Sequence, residues 1–266
     1  MFSRLFYSSI FPFAIAIFII FYRSSSLTAL SQHLSWRSSS STHQELIGNL
    51  YKDGIIQDKR IIDAMLKVDR ADFTDKISDT YSDRPQYIGY SVTISAPHMH
   101  GFALQILKDH LQPGAKVLDI GSGSGYLTAC MAYLVRPNGK AIGIEHIQEL
   151  VNKSIKNIKK HNKKLFDDGL LEIHKGDGRR GYPIQAPYDA IHVGAAIYGT
   201  PYELIRQLKV GGRLVAPIGN YFNQEMITYD KKADGTYNEQ RHMNVMYVPL
   251  TDEKSQYAKA GGRRQI

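Results

Sequence analysis

A glycine-rich turn follows a short apolar segment near the middle of the chain. It reads Gly121-Ser122-Gly123-Ser124-Gly125 and comes directly after Val117-Leu118-Asp119-Ile120. Glycines let the backbone approach a ligand closely, and the helix that follows offers the free N–H groups of its N-terminus. Tyr126 stands where a dinucleotide-binding fingerprint requires its third glycine, which argues against NAD. The turn therefore predicts a nucleoside site of a different kind.

Three acidic residues follow successive predicted strands. Asp119 lies in the end of the first strand, Glu145 ends the second, and Asp177 follows the third within Gly176-Asp177-Gly178. An acid at the position of Glu145 can accept hydrogen bonds from two ribose hydroxyls, and an acid at Asp177 can accept from an adenine amino group. A carboxylate at Asp119 requires polar or cationic partners. Together they predict a pocket for an adenosyl group linked to an amino acid, as in S-adenosyl-L-methionine.

Five strings make the chain resemble the protein-L-isoaspartate (D-aspartate) O-methyltransferase family over about residues 44–256. They are Ile94-Ser95-Ala96-Pro97-His98-Met99-His100, residues 118–125, Gly176-Asp177-Gly178-Arg179, residues 186–196 and Val248-Pro249-Leu250-Thr251-Asp252. The first and fourth are the most specific to the family. The resemblance implies an α/β, Rossmann-like S-adenosylmethionine-dependent methyltransferase fold, with a mostly parallel sheet whose last strand is reversed.

The resemblance also implies which residues form the site. Ser95 matches the active-site serine, although it could also cap the helix that Pro97 begins. Residues Val92, Thr93, Ile94 and Ser95, with His100, match the loop that closes over cofactor and substrate. The other expected cofactor contacts are Asp119, Ile120, Gly121, Gly123, Glu145, His146, Asp177, Gly178, Thr251 and Gln256. Glu145 stands where aspartate is common in animal members, and no metal is expected.

The implied substrate is the free carboxylate of an L-isoaspartyl or D-aspartyl residue in a damaged protein. Such a carboxyl has a pKa of about 3.9, so it is already a nucleophile at neutral pH and needs no general base. Alignment of the two reactants can lower the barrier by about 7–11 kcal/mol. We therefore expect Ser95 to orient the substrate carboxylate by a hydrogen bond.

Alternation of apolar runs and helical stretches begins near residue 116. The runs are Val117–Ile120, Ala141–Ile144, Leu171–His174, Ala190–Val193 and Leu214–Pro217, and the helical stretches are 124–135, 147–164 and 201–208. This pattern predicts a parallel sheet covered on both faces. Two later runs, Met226–Tyr229 and Val245–Pro249, are joined through Asp234-Gly235 and predict an antiparallel edge hairpin.

Two short amphipathic helices are predicted to cover the sheet before it begins. Their apolar residues are Leu46, Ile47 and Leu50, then Ile61, Ile62, Met65 and Leu66, with Asp58 as N-cap of the second helix. Pro97 is expected as the first residue of a third helix.

The composition is that of an ordinary globular protein. The 266 residues carry 33 Lys and Arg against 25 Asp and Glu, a net charge of +8, and 43% of them are hydrophobic. A single cysteine, Cys130, excludes a disulfide-stapled fold and is expected in the core. The main basic run is expected to be the solvated face of an outer helix rather than a nucleic-acid site, because no aromatic residues interleave it; it comprises Lys153, Lys156, Lys159, Lys160, Lys163 and Lys164.

The N-terminus lies outside the resemblance. Residues 5–22 form an uncharged apolar run behind Arg4, so that residues 1–22 are either a leader or membrane anchor, or an extension with no such role. Residues 23–43 are serine-rich and predict a linker with no means of packing, so catalysis should need nothing before about Trp36. The methyltransferase domain is expected over 44–256 and a tail over 257–266, in a monomeric, cytoplasmic enzyme.

Three alternatives remain open. A methyltransferase of the same fold could act on a small-molecule carboxylate, an NAD(P) oxidoreductase could use the glycine turn, or a membrane-tethered binding protein could have lost catalysis. Residues 95–100 argue against the first, Tyr126 against the second, and the intact Ser95, Glu145 and Asp177 against the third.

Overall fold

The computed structural model describes residues 38–75 and 77–261. The predicted leader, most of the serine-rich stretch and the last five residues of the chain lie outside these ranges. Within them, no helix combines the length and the apolar character needed to cross a membrane.

Two helices precede the sheet in the chain, as the sequence predicts, and they pack against each other and against the helices that follow them. Helix α1 spans His43–Lys52 and helix α2 spans Lys59–Lys67. Each has a side-chain cap: Thr42 accepts from the Glu45 amide in α1, and Asp58, as predicted, accepts from the Arg60 amide in α2.

The serine-rich stretch is not a free linker at its C-terminal end, contrary to the prediction. The Ser38 hydroxyl donates to Asp53 at 2.6 Å, and the Asp83 amide donates to the Ser39 hydroxyl at 2.8 Å. Serine side chains can satisfy local backbone and carboxylate groups without any hydrophobic period. The packed domain therefore begins at or before Ser38.

A small hairpin and a helix precede the main sheet. Strands β1 (Gln86–Gly89) and β2 (Val92–Ile94) pair antiparallel, and helix α3 spans Pro97–Leu107. Pro97 is the first residue of α3, as predicted.

The main sheet has seven strands in the order β5-β4-β3-β6-β7-β8-β9. Strands β3 to β7 run parallel, which confirms the α/β prediction. The strands are β3 (Lys116–Ile120), β4 (Lys140–Glu145), β5 (Leu171–Lys175), β6 (Tyr188–Val193), β7 (Leu208–Gly219), β8 (Gln224–Lys231) and β9 (Tyr237–Val245). The helices between them are α4 (Tyr126–Val135), α5 (Gln148–His161), α6 (Lys164–Asp167) and α7 (Tyr202–Arg206), and α8 (Glu253–Lys259) follows the sheet.

The edge hairpin exists, but its second strand is misplaced in the prediction. Strand β9 ends at Val245 instead of beginning there, so residues 246–249 are not part of it. Much of β9 is polar and exposed, because it is the edge strand, and this polarity conceals it in the sequence. Strand β8, and not the last strand, is the reversed one, since it runs antiparallel to both neighbours.

Two further predictions concern the buried cysteine and the lysine-rich helix. The Cys130 side chain is fully buried within α4, as predicted. Helix α5 ends at His161, earlier than expected. Most of its lysines are exposed, but the half-buried Lys153 binds Asp75 and the Ile88 carbonyl, at 2.6 and 3.0 Å.

Candidate active site

The glycine-rich turn lies between strand β3 and helix α4. Gly121, Gly123 and Gly125 have φ values of 71°, 48° and 85°, a region that favours glycine. A Cβ atom on Gly125 would lie 3.0 Å from side-chain atoms of both Ile158 and Ser154. Glycine at this position therefore allows α4 and α5 to pack closely while the turn stays open to a ligand.

Glu145 ends strand β4 beside this turn and is buried. Its two carboxylate oxygens accept from the amides of Ile147 and Gly123, at 3.0 and 3.2 Å. Burial raises the pKa of Glu145 above its ordinary value, and these hydrogen bonds and nearby His146 oppose that shift. A buried carboxylate next to a glycine turn is suited to accept hydrogen bonds from the hydroxyl groups of a sugar.

One cleft collects many of the expected cofactor contacts. Seven of them line it: Val92, Gly121, Glu145, His146, Gly178, Thr251 and Gln256. The cleft is completed by Ile144, Gly194, Ala195, Val248, Pro249 and Leu250. An open cavity of about 1000 Å³ is lined by His146 and Asp177 together with residues of α8. The shared residue His146 makes the two spaces neighbours.

Asp177 and Gly178 follow strand β5 at the edge of this space. Arg179 binds the Asp177 carboxylate at 2.7 Å, and the Arg179 side-chain hydrogen bond is the main cause that lowers the pKa of Asp177. A Cβ atom on Gly178 would lie 2.5 Å from Ile120 Cγ2. Ile120 is buried and does not line the cleft, so its contribution is to shape the floor under Gly178.

Asp119 differs from the expectation, because it does not line the cleft. It is 1% exposed, one oxygen accepts from the Thr128 hydroxyl at 2.5 Å, and the other lies 2.8 Å from His192 Nδ1. Its requirement for polar partners is met inside the protein. The structure thus places Asp119 in the core beside the glycine turn, outside the lining of the cleft.

Ser95 lies between strand β2 and helix α3 and is half-buried. It is not the N-cap of α3, since Ala96 holds that position and makes no side-chain cap. Tyr247 lies near enough to Ser95 for the serine side chain to influence its ionisation. Sequence reasoning missed Tyr247, although it immediately precedes the family string beginning at Val248. Burial raises the pKa of Tyr247 to about 12, and the Ser95 side chain acts in the opposite direction.

Tyr247 belongs to a segment that is tied to the sheet. The Gln224 side chain donates to the Tyr247 carbonyl at 3.1 Å and accepts from its amide at 2.7 Å. Ala196 donates to the Val248 carbonyl and accepts from the Leu250 amide, both at 2.8 Å. These bonds hold in place the segment whose residues 248–251 line the cleft.

The rest of the loop at Ser95 is divided between solvent and core. Thr93 is exposed and Ile94 is buried in the core, and neither lines the cleft. The His100 ring is buried with its centroid 4.9 Å from that of Tyr126. Burial, and next the charge of Arg70, hold the pKa of His100 well below 6.5, so the imidazole is neutral at pH 7.

Helix α8 closes the cleft on the side of the β1–β2 hairpin. The Gln256 side chain donates to the Tyr90 carbonyl at 2.6 Å, and the Tyr90 and Tyr257 rings meet edge to face at 5.8 Å. The Tyr257 hydroxyl donates to Glu149 at 2.5 Å. The predicted boundary at Gln256 thus falls inside a helix that contacts the site.

Comparison with known proteins identifies the family. The model of the protein-L-isoaspartate (D-aspartate) O-methyltransferase family matches residues 41–255. Protein-L-isoaspartate O-methyltransferase 1 of Arabidopsis thaliana is 50% identical over 220 residues, which cover 82% of this chain and 95% of the relative. Protein-L-isoaspartate O-methyltransferase of Caenorhabditis elegans is 47% identical over 224 residues, covering 84% of this chain and 99% of the relative.

A solved structure supports the same assignment. The crystal structure of a Plasmodium falciparum protein-L-isoaspartate O-methyltransferase in complex with S-adenosyl-L-homocysteine has a TM-score of 0.73 and 36% identity to this chain, and the match covers 79% of this chain and 99% of that one. The glycine turn, the buried acid after it and the resemblance of the sequence agree with these matches. The chain therefore belongs to the protein-L-isoaspartate (D-aspartate) O-methyltransferase family and is a methyltransferase.

Proposed function

We propose that this enzyme transfers the methyl group of S-adenosylmethionine to the free carboxylate of L-isoaspartyl, and also D-aspartyl, residues in damaged proteins. Family membership supports the reaction. The observation that carries the site assignment is the cleft itself, in which seven of the expected cofactor contacts, Glu145 among them, line one space beside the glycine turn.

The cleft fits an adenosyl group on three features of this chain. Glu145 offers a buried carboxylate to the ribose hydroxyls. Gly121 and Gly123 have no side chains, so the backbone of the turn can lie close to the methionine part of the donor. Asp177 lines the neighbouring cavity, where it can accept a hydrogen bond from the adenine amino group. Thr251 and Gln256 complete the wall. The bound donor supplies an electrophilic methyl group on a sulfonium.

The chain's own residues would then act by orientation. The substrate carboxylate is ionised at neutral pH and attacks without a general base. Opposite charges cancel as the methyl group moves, so strong stabilisation of the separated charges would favour the reactants. Ser95 therefore donates a hydrogen bond that aligns one carboxylate oxygen. Alignment of this kind can supply about 7–11 kcal/mol.

The decisive experiment uses labelled S-adenosylmethionine with peptides that differ only in Asp, L-isoAsp or D-Asp. We expect base-labile label on the L-isoAsp peptide, weaker label on the D-Asp peptide and none on the Asp peptide. Equal labelling of the Asp and isoAsp peptides would overturn the substrate assignment. Label on free small carboxylates alone would favour the small-molecule alternative.

The role of Ser95 needs a separate measurement. Ser95→Ala should lower kcat on the isoAsp peptide while the Kd for S-adenosylmethionine, measured by calorimetry, stays within about twofold. A loss of cofactor affinity with unchanged kcat would contradict an orienting role.

We further propose that the catalytic domain works as a monomer in the cytoplasm, with residues 5–22 as a tether to a membrane. The apolar character of that segment supports the tether. Carbonate extraction of cell membranes tests it, because a full-length chain found entirely in the soluble fraction would refute it. Light scattering of the purified domain tests the monomer.

A further inference from the structure

Helix α3, which begins two residues after Ser95, takes its cap from a distant part of the chain. Ala96 at the N-cap has no side chain that could accept a hydrogen bond, although the first amides of a helix need an acceptor. Asp83 supplies it: one carboxylate oxygen accepts from the His98 amide at 2.9 Å and lies 2.8 Å from His98 Nδ1.

Asp83 lies in a loop that hydrogen bonds hold in place. Its side chain is 0% exposed, and its amide donates to the Ser39 hydroxyl at 2.8 Å. The buried Arg70 guanidinium donates to the carbonyls of Thr80 and Arg84, at 3.1 and 3.4 Å, which fixes the loop on both sides of Asp83. The carboxylate therefore has little freedom to follow the helix if the helix moves.

The connection from Asp83 to Ser95 is short and stiff. Only Ala96 and Pro97 separate Ser95 from His98. The proline ring fixes its own φ angle, Ala96 is fully buried, and the Ala96 carbonyl accepts from the Met99 and His100 amides at 3.0 and 3.2 Å. Because His98 is anchored, the position of Ser95 relative to the start of helix α3 is fixed.

We propose that Asp83 is a positioning residue for the methyl-transfer reaction, acting through His98 and the first turn of α3 to fix the position of Ser95. This inference rests on the proposed role of Ser95. It gives Asp83 a part in turnover that is separate from cofactor binding, because Asp83 does not line the cleft.

The test compares Asp83→Ala and Asp83→Asn with the wild type and with Asp58→Ala. Asp58→Ala is the matched control, since Asp58 is a carboxylate that accepts from the Arg60 amide at the start of α2 and does not line the cleft. Each protein is assayed for kcat and KM on the isoAsp peptide, for Kd of S-adenosylmethionine, and for amide hydrogen exchange of residues 92–100 at native conditions.

We expect Asp83→Ala to lower kcat by about tenfold or more, with the Kd changed by less than about twofold and with faster exchange confined to residues 92–100. Asp83→Asn should recover most of kcat, because its amide oxygen still accepts from the His98 amide. Asp58→Ala should lose stability but keep kcat.

Two results would overturn the proposal. The first is an Asp83→Ala protein with wild-type kcat, and the second is a loss of kcat that Asp58→Ala shares in proportion to lost stability. If the wild type itself leaves the isoAsp peptide unmethylated, the proposed function fails, and hydrogen exchange alone decides the positioning role: unchanged exchange at 92–100 in Asp83→Ala refutes it.

Discussion

Asp119 and His192 lie directly opposite each other on the neighbouring parallel strands β3 and β6, with Asp119 Oδ1 2.8 Å from His192 Nδ1. The second Asp119 oxygen accepts from Thr128 in helix α4. One buried carboxylate therefore joins the two strands and the helix that hold the glycine turn between them. Its contribution to the site is to fix the turn, and we propose Glu145 as the acid that binds the cofactor.

Asp119→Ala should destabilise the whole domain because it leaves Thr128 and His192 without their buried partner. Hydrogen bonds to a charged group contribute about 1.5–3 kcal/mol each, so we expect the free energy of unfolding to fall by at least that amount. Urea titration measures the fall. Thr128→Val, which removes one of the two bonds, should show a smaller loss, and equal stability of Asp119→Ala and wild type would contradict this role.

Glu145→Gln should weaken cofactor binding, because an amide accepts less strongly from ribose hydroxyls than a carboxylate does. Losing one charged hydrogen bond costs about 1.5–3 kcal/mol, or about tenfold or more in Kd. Calorimetry with S-adenosylmethionine checks the change. An unchanged Kd would remove Glu145 from the proposed pocket.

The raised pKa of Glu145 predicts a pH effect on the cofactor-free protein. The folded state binds this proton more readily than the unfolded chain, whose ordinary value is 4.5. Stability contributed by Glu145 should therefore increase as pH falls from 7 toward 4.5, and it should be lost as pH rises through the folded pKa. Urea unfolding at pH 7 and pH 5 measures this. The free energy of unfolding of the wild type, relative to that of Glu145→Gln, should be larger at pH 5 than at pH 7. An equal difference at the two pH values would contradict the raised pKa.

Tyr247→Phe should reduce turnover modestly without affecting the cofactor. It removes the hydroxyl that lies near Ser95 but leaves the backbone bonds to Gln224 in place. A neutral hydrogen bond contributes about 0.5–1.5 kcal/mol, so kcat should fall by about two- to tenfold. Steady-state kinetics on the isoAsp peptide measures this, and a rise in the Kd for S-adenosylmethionine instead would place Tyr247 in the cofactor site.

Truncation should distinguish the predicted N-terminal leader from the packed segment that contains Ser38 and Ser39. A chain of residues 36–266 should keep full activity, since it retains the contacts of Ser38 and Ser39. A chain that begins at Gln44 loses both, and we expect its free energy of unfolding to fall on the order of 2–4 kcal/mol. Equal thermal stability of the two chains would show that these serines contribute nothing.

The parts of the fold with strong hydrophobic periods are predictable from the sequence. The parallel strands, the cap at Asp58 and the start of α3 at Pro97 follow from apolar runs and local preferences. Strand β9 is not predicted correctly, because an edge strand exposes polar residues along its length. The apolar run 245–249, which the prediction takes for this strand, instead reaches Ala196, where Pro249 forms an isolated bridge.

The site is predictable only as far as residue types define it. The three acids are recognisable in the sequence, but their partners decide their roles, and His192 and Thr128 are separated from Asp119 by 73 and 9 residues. The same holds for Asp83, which contacts His98 across 15 residues of the sequence. Sequence spacing alone carries no information about such contacts.

The single cysteine gives this protein an internal reporter of unfolding. A thiolate is the form that reacts with alkylating reagents, and burial raises the pKa of the fully buried Cys130 well above its usual range. Reaction under native conditions therefore requires the core around α4 to open. The rate at which a thiol reagent is consumed measures how often each molecule opens. Because Cys130 is the only cysteine of the chain, this rate can be measured without introducing a labelled residue.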